Sequence, residues 1–204
     1  MDVSRETEEL LTRYGSLIRK WNRAINLVAP ASLPDLRRRH IDDSLQLSQL
    51  LNRPKGTWLD IGSGGGLPGV VLAIVFRDCD LRVILLESDQ RKCAFLRSVK
   101  RELSLTNMDI IAERIEDAPP VGADYVSARA LAPLANLLPF LVRHMLPSGE
   151  AYFLKGRSWR DELRDVQDDW RFKITFFPSI TDPNAAILKI SEVTHVHSAD
   201  HRNR

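Results

Sequence analysis

Trp58-Leu59-Asp60-Ile61-Gly62-Ser63-Gly64-Gly65-Gly66-Leu67-Pro68-Gly69 is the stretch whose reading decides the fold. An apolar run ends in an acid, passes through a glycine turn and continues into the helical-looking run 67–76. Glycine reaches positive φ without strain and lets the backbone approach a ligand closely. The helix that follows offers unpaired N–H groups at its start. About two dozen residues on, Val83-Ile84-Leu85-Leu86-Glu87 repeats the pattern of a strand ending in an acid. A carboxylate there can accept from two ribose hydroxyls. A nucleoside-containing cofactor is therefore the first expectation.

Two registers of the loop compete. Gly64-Gly65-Gly66-Leu67-Pro68-Gly69 fits the dinucleotide fingerprint G-x-G-x-x-G. Gly62-x-Gly64-x-Gly66 behind Asp60 resembles the S-adenosylmethionine loop of Rossmann-like methyltransferases. The second register is preferred, because the strand ends at Gly62. Asp60 would also repel a pyrophosphate, whereas it suits a cofactor with an amino group and a sulfonium.

Outward from the loop, the chain is organised simply. Its 204 residues suit one domain with a full core and a small appendage. A net charge of +2 does not suggest a protein that coats nucleic acid indiscriminately. Cys79 and Cys93 lack metal spacing and read as reduced thiols. No signal-like apolar core and no run of membrane-spanning length is evident, so a cytoplasmic protein with no membrane association is expected.

Leu10, Tyr14, Leu17, Ile18, Trp21 and Ile25 form one helical stripe, with Ser4 as its N-cap. Ser32-Leu33-Pro34-Asp35 reads as a capping box opening a helix that continues to about 51. After the linker 52–56, strands and helices alternate. Strands are expected at 58–61, 82–86, 108–112, 124–127, 150–154, 172–177 and 185–190. Helices are expected at 67–76, 90–103, 131–145 and 159–170. The alternation implies an α/β, doubly wound, mostly parallel sheet. The last two strands are separated by only a short turn, so they must pair antiparallel. This gives an N-terminal helical cap at 1–52, a cofactor-binding domain at 57–192 and a polar tail at 193–204. His195, His197 and His201 in that tail are not read as a metal site, and no metal is expected.

The fourth strand ends in Tyr125-Val126-Ser127-Ala128-Arg129-Ala130. It carries neither a cysteine nucleophile nor the Asn/Asp-Pro-Pro-aromatic run of exocyclic-amine enzymes. Arg129 cannot be a base at neutral pH, but it can bind phosphate, a carboxylate or the acceptor face of guanine. A ring nitrogen such as guanine N7 has a lone pair and no proton to remove, which is consistent with the absence of a base. No catalytic residue is therefore assigned, and Arg129 and Lys155 are candidates for positioning the substrate. Arg37, Arg38, Arg39 and His40, with Lys155 and Arg157, are candidates for contacts to a phosphate-bearing substrate. His40, Asp43 and Ser44 can share one helical face, either lining a pocket or packing between helices. The basic residues of the helix after Glu87 read as a solvated face.

KWNRAINLVAP (20–30), RHIDDSL (39–45), LDIGSGGGLPG (59–69), LLESDQRKCAFL (85–96), SARALAPL (127–134) and FLKG (153–156) are together similar to the glucose-inhibited division protein B (RsmG) family, the small-subunit ribosomal RNA guanine-N7 methyltransferases. The glycine loop alone is generic, whereas GLPG with RHIDDSL is specific to that family. The resemblance implies a Rossmann-like, seven-stranded methyltransferase sheet with an antiparallel last strand pair and an N-terminal helical cap. It implies S-adenosyl-L-methionine as methyl donor and small-subunit (16S) ribosomal RNA as substrate, naked or in an assembling subunit. A monomer is expected as the working form. Family cofactor contacts fall on Gly62, Leu67, Ile115, Glu116 and Arg129, beside Asp60, Gly64 and Gly66 from the loop itself and Glu87 from the end of the second strand. The competing readings are a small-molecule methyltransferase and a noncatalytic RNA-binding module with a relic cofactor pocket.

Overall fold

The computed structural model describes residues 3–196. Helix α1 (Arg5–Trp21) begins where Ser4 accepts from the Thr7 N–H at 3.2 Å, and it buries its stripe of Leu11, Tyr14, Leu17 and Ile18. Beyond it the expected continuous helix is broken. A 3₁₀ turn at Pro30–Ser32, a π-helical stretch at Arg37–Asp42, a single turn α2 (Asp43–Leu45) and a second 3₁₀ stretch at Gln46–Leu50 follow one another. Side chains compete here with the regular backbone ladder. Ser44 Oγ donates to the His40 carbonyl, Gln46 Nε2 to that of Asp43 and Ser48 Oγ to that of Leu45. The expected capping box does not form, because Ser32 Oγ donates to the Ala29 carbonyl at 2.6 Å and meets His40 Nε2 at 2.6 Å.

The sheet comprises β1 (Gly56–Ile61), β2 (Leu81–Leu86), β3 (Met108–Ile111), β4 (Ala123–Arg129), β5 (Met145–Lys155), β6 (Trp170–Pro178) and β7 (Ala186–His195), in spatial order β3-β2-β1-β4-β5-β7-β6. β1 to β5 pair in parallel, and β7 runs antiparallel to both β5 and β6. β5 begins five residues before its expected start, and β7 continues to His195, so the first residues of the expected tail are strand. His197 and His201 lie outside the described residues.

Helices α3 (Gly69–Val75), α4 (Gln90–Glu102), α5 (Leu134–His144) and α6 (Trp159–Asp165) cover the sheet. One core joins α1, the 30–50 segment, α3 and α4 to the inward residues of β1 and β2; the other lies under α5 and α6. Trp58, fully buried, is stacked between Tyr125 and Tyr152 with ring centroids 5.2 and 5.5 Å away. The chain leaves β1 toward β2 and β3 on one side and returns as β4 on the other. That switch point opens a crevice at the carboxyl ends of β1 and β4, where doubly wound sheets bind ligands. No helix among the described residues is long and apolar enough to cross a membrane.

Candidate functional site

A cavity of about 430 Å³ occupies that crevice, a volume typical of small-molecule sites. Its floor is the loop after β1. Gly62 turns there at φ +62°, and a Cβ would stand 2.5 Å from Leu131 Cδ1. Gly64 also has positive φ, but a Cβ on it would meet only the Gly62 carbonyl at 3.8 Å, so this glycine faces open space. The N-terminal helices brace the loop from behind. Tyr14 of α1 donates its hydroxyl to the Gly65 carbonyl, and Leu27 packs against Gly65 and lines the cavity.

Glu87 stands at the cavity wall just past β2. Its Oε2 accepts from the Gly64 N–H and its Oε1 from the Asp89 N–H, both at 2.8 Å. A carboxylate has about four lone-pair sites, so these two bonds fix its orientation and leave acceptor capacity facing the cavity. Ile115 and Glu116 form the opposite wall. Their loop is held by the end of α5: His144 Nε2 donates to the Ile115 carbonyl at 2.9 Å and Arg143 Nη2 to that of Ala118 at 2.8 Å. His144 is fully buried, and that burial lowers its pKa and keeps the ring neutral.

The structure brings Gly62, Gly64, Leu67, Glu87, Ile115, Glu116 and Arg129 to this one cavity. It places Asp60 and Gly66 elsewhere. Asp60 is 1 % exposed and lies behind the loop. Its Oδ1 accepts from Ser127 Oγ at 2.6 Å, its Oδ2 from the Gly69 N–H at 3.2 Å, and Ser127 Oγ in turn accepts from Trp58 Nε1 at 2.8 Å. Burial raises the Asp60 carboxyl to about 7, against the opposing pull of these hydrogen bonds. Asp60 is thus a frame for the loop, tying β1 to β4 and α3, and not a wall of the cavity. Gly66 faces inward, where a Cβ would lie 2.4 Å from Val70 Cγ2.

A second cavity of about 340 Å³ adjoins the first, with Arg129 and Ala130 shared between them. Ala130 has φ +52°, an unfavourable value for a residue with a Cβ, at the partition itself. The Arg129 guanidinium is fully oriented. Nε pairs with Asp43 Oδ2 at 2.8 Å, while Nη2 donates to the Arg39 carbonyl and to His40 Nδ1, each at 2.9 Å. Asp43 Oδ1 also accepts from Thr181 Oγ1 at 2.7 Å and Gln46 Nε2 at 2.9 Å. Burial, then the charges of Arg129 and Arg39, pushes the His40 pKa down to about 4. The ring is therefore neutral near pH 7, with Nδ1 accepting from Arg129 and Nε2 donating to Ser32 Oγ. This network joins the 30–50 segment, β4 and the β6–β7 loop. Only Asp43 of its acid and amide members was singled out by helical spacing. Thr181 and Gln46 carried no such signal, because they meet Asp43 only through the fold.

The expected phosphate-binding residues do not form one rim. Arg37 pairs with both oxygens of Glu8, at 2.6 and 2.8 Å, and with Asp42 at 2.7 Å, turned away from both cavities. Lys155 is 8 % exposed, pairs with Glu162 at 2.6 Å and donates to the Ala132 carbonyl at 2.7 Å. Its charge is matched, and it pins the β4–α5 loop at the edge of the second cavity. His40 sits behind Arg129. Arg39 lines the second cavity, and Arg38 and Arg157 are exposed. Among the described residues, no group of three or more His, Cys, Asp or Glu side chains could hold a metal. Cys79 and Cys93 are free thiols.

A family model described as rRNA small subunit methyltransferase G matches residues 7–187. The chain is 49 % identical over 195 residues to the ribosomal RNA small subunit methyltransferase G of Paracoccus denitrificans (strain Pd 1222), covering 96 % of this chain and 100 % of the relative. It is 46 % identical to the protein of that name from Gluconobacter oxydans (strain 621H), over 95 % of this chain and 98 % of the relative. Among solved structures, a SAM dependent methyltransferase from Aquifex aeolicus superposes with a TM-score of 0.59 at 13 % identity, covering 86 % of this chain and 96 % of that one. A ribosomal protein L11 methylase from Lactobacillus delbrueckii subsp. bulgaricus gives a TM-score of 0.59 at 13 % identity, over 75 % of this chain and 78 % of that one. At such identities the structural likeness speaks to the fold.

Proposed function

The chain belongs to the rRNA small subunit methyltransferase G family, and on that premise we propose that it transfers a methyl group from S-adenosyl-L-methionine to N7 of a guanine in small-subunit ribosomal RNA. The observation that carries the reading is the pair of adjoining cavities separated by a fully oriented arginine. One fits a nucleoside-bearing donor and the other opens toward an acceptor.

The first cavity suits the donor. Glu87 keeps lone pairs for ribose hydroxyls, Gly64 leaves room for close approach, and Leu27, Leu67, Ile115 and Leu131 supply apolar walls. When bound, S-adenosyl-L-methionine supplies an electrophilic methyl on a sulfonium. The protein's work is then positioning. Arg129 is held by Asp43, the Arg39 carbonyl and His40, so its free edge presents donors to the acceptor at little orientational cost. N7 attacks through its own lone pair, and no side chain has to remove a proton. The family's ribosomal RNA naming favours this reading over a small-molecule acceptor or a relic binding module. The proposal extends to a cytoplasmic monomer in which residues 1–52 cap a methyltransferase domain at 57–192, acting on naked RNA or an assembling subunit.

The test is primer extension after cleavage at N7-methylguanine, comparing small-subunit ribosomal RNA from cells with and without the gene. One stop that disappears with the gene and returns on complementation is expected. Identical patterns would refute the reading.

A further inference from the structure

We infer that the outer faces of α1 and α4 form a second RNA contact, a basic track that receives ribosomal RNA phosphates away from the methyl-transfer cavities; this rests on the methyltransferase reading above. The two helices lie side by side and antiparallel. Arg13 Nη2 donates to the Glu102 carbonyl near one end, and the Trp21 and Phe95 rings meet edge to face at 5.7 Å farther along. The solvent side of this pair carries Arg13, Lys20 and Arg23 on or just after α1, and Arg91, Arg97 and Arg101 on α4, all exposed.

Charge is segregated onto this side. Residues 10–24 and 89–102 contain nine Lys or Arg and two acids, Asp89 and Glu102, in a chain whose net charge is +2. The remainder of the chain therefore carries more acids than bases. An ordinary solvated helix face offsets its cations with acids three or four residues away, as Arg5 and Glu9 do at the start of α1. Among the described residues, only Arg91 of the six has an acid within 4 Å, Asp89 at 3.8 Å. Of the other cations nearby, Lys100 pairs with Asp109, while Arg19, like Arg13, donates to a backbone carbonyl and meets no acid among the described residues.

The track is continuous with the site. Arg91 and Lys92 line a small cleft with Ala24, Asn26 and one acid, Asp89, and Lys92 also lines the first cavity. From Arg91 to Arg101 the α4 face extends about 15 Å. A polyanion with closely spaced charges can meet such a row, and its counterions are released on contact. The candidate phosphate-binding residues singled out in the sequence cannot carry that load alone, because Arg37, turned away from both cavities, and Lys155 are already neutralised by acids.

The test replaces Arg23→Gln, Arg97→Gln and Arg101→Gln together in the full chain, with an Arg→Lys triple at the same positions as the charge-restoring control. Binding of a small-subunit ribosomal RNA transcript is read by fluorescence anisotropy over about 50–300 mM salt. The salt slope should fall by about two, and affinity at about 150 mM salt should fall at least roughly tenfold. The lysine triple should bind nearly as tightly as the unaltered protein, and S-adenosylhomocysteine affinity should not move. An unchanged slope and affinity overturns the inference. So does a loss confined to protein-bearing particles, which would mark an acidic protein as the occupant. Failure of the unaltered protein to methylate ribosomal RNA would instead sink the methyltransferase reading, whereas normal methylation with an unchanged slope in the variant sinks the track alone.

Discussion

Asp60→Asn should change how stability depends on pH more than it changes stability at any one pH. The carboxyl is 1 % exposed, and burial lifts it from 3.8 to about 7. Between those values the folded protein holds a proton that the unfolded chain has released. This contribution is fully present below about pH 4 and is lost as pH rises through 7, at about 1.4 kcal/mol per unit and about 4 kcal/mol in all. His40 has the opposite sign. Its ring is lowered from 6.5 to about 4, so below 6.5 the unfolded chain binds a proton that the folded protein refuses, and stability rises with pH across that window. The two effects oppose each other, so the unaltered protein should vary little between about pH 4.5 and 6.5. The asparagine variant loses the first effect and keeps the second. Its amide nitrogen also meets a donor, either the Gly69 N–H or the Ser127 hydroxyl, at a pH-independent cost of about 1–3 kcal/mol. Urea unfolding followed by tryptophan fluorescence at steps from about pH 4.5 to 8.5 checks this. The difference in unfolding free energy, variant minus unaltered, should climb by about 1.4 kcal/mol per unit and level off above pH 7. Parallel curves would show that Asp60 is ionised throughout, and the account of the buried frame would be wrong.

Glu87→Ala should lower S-adenosylhomocysteine affinity at least tenfold by calorimetry with the circular dichroism spectrum intact, since charge-assisted bonds are worth about 1.5–3 kcal/mol each; unchanged affinity would remove Glu87 from the donor site. Gly66→Ala should lower thermal stability by about 1–3 kcal/mol, because φ is +86° and the new Cβ would lie 2.4 Å from Val70 Cγ2. An unaltered melting temperature would contradict that packing. Asp43→Ala leaves Arg129 without its carboxylate partner, and methyl transfer should drop by about 10²-fold, with S-adenosylhomocysteine affinity nearly constant. A variant with full activity would show that the orientation of Arg129 does not matter.

Strand positions were legible because β1 and β2 are short apolar runs bounded by glycine and acids, and α1 because its stripe keeps a helical period. The 30–50 segment has the same apolar spacing, yet it folds as successive π, α and 3₁₀ turns. Its Ser and Gln side chains donate to neighbouring carbonyls, and periodicity does not record that competition. Arg37 and Lys155 were visible as cations, but their acids come from α1 and α6 and are brought close only by the fold. The two strand-end acids show the limit most clearly. Asp60 and Glu87 look alike in sequence, each closing an apolar run. In the sheet, Ile61 pairs with Leu86 and Asp60 with Leu85, so Glu87 stands level with Gly62 while Asp60 lies two residues deeper. At that depth the side chain meets Ser127 and the start of α3, and at the level of Gly62 it meets the cavity. Two residues of register between adjacent parallel strands thus separate an acid that frames the loop from one placed to hold a ligand, and register is a property of the pairing that neither strand carries alone.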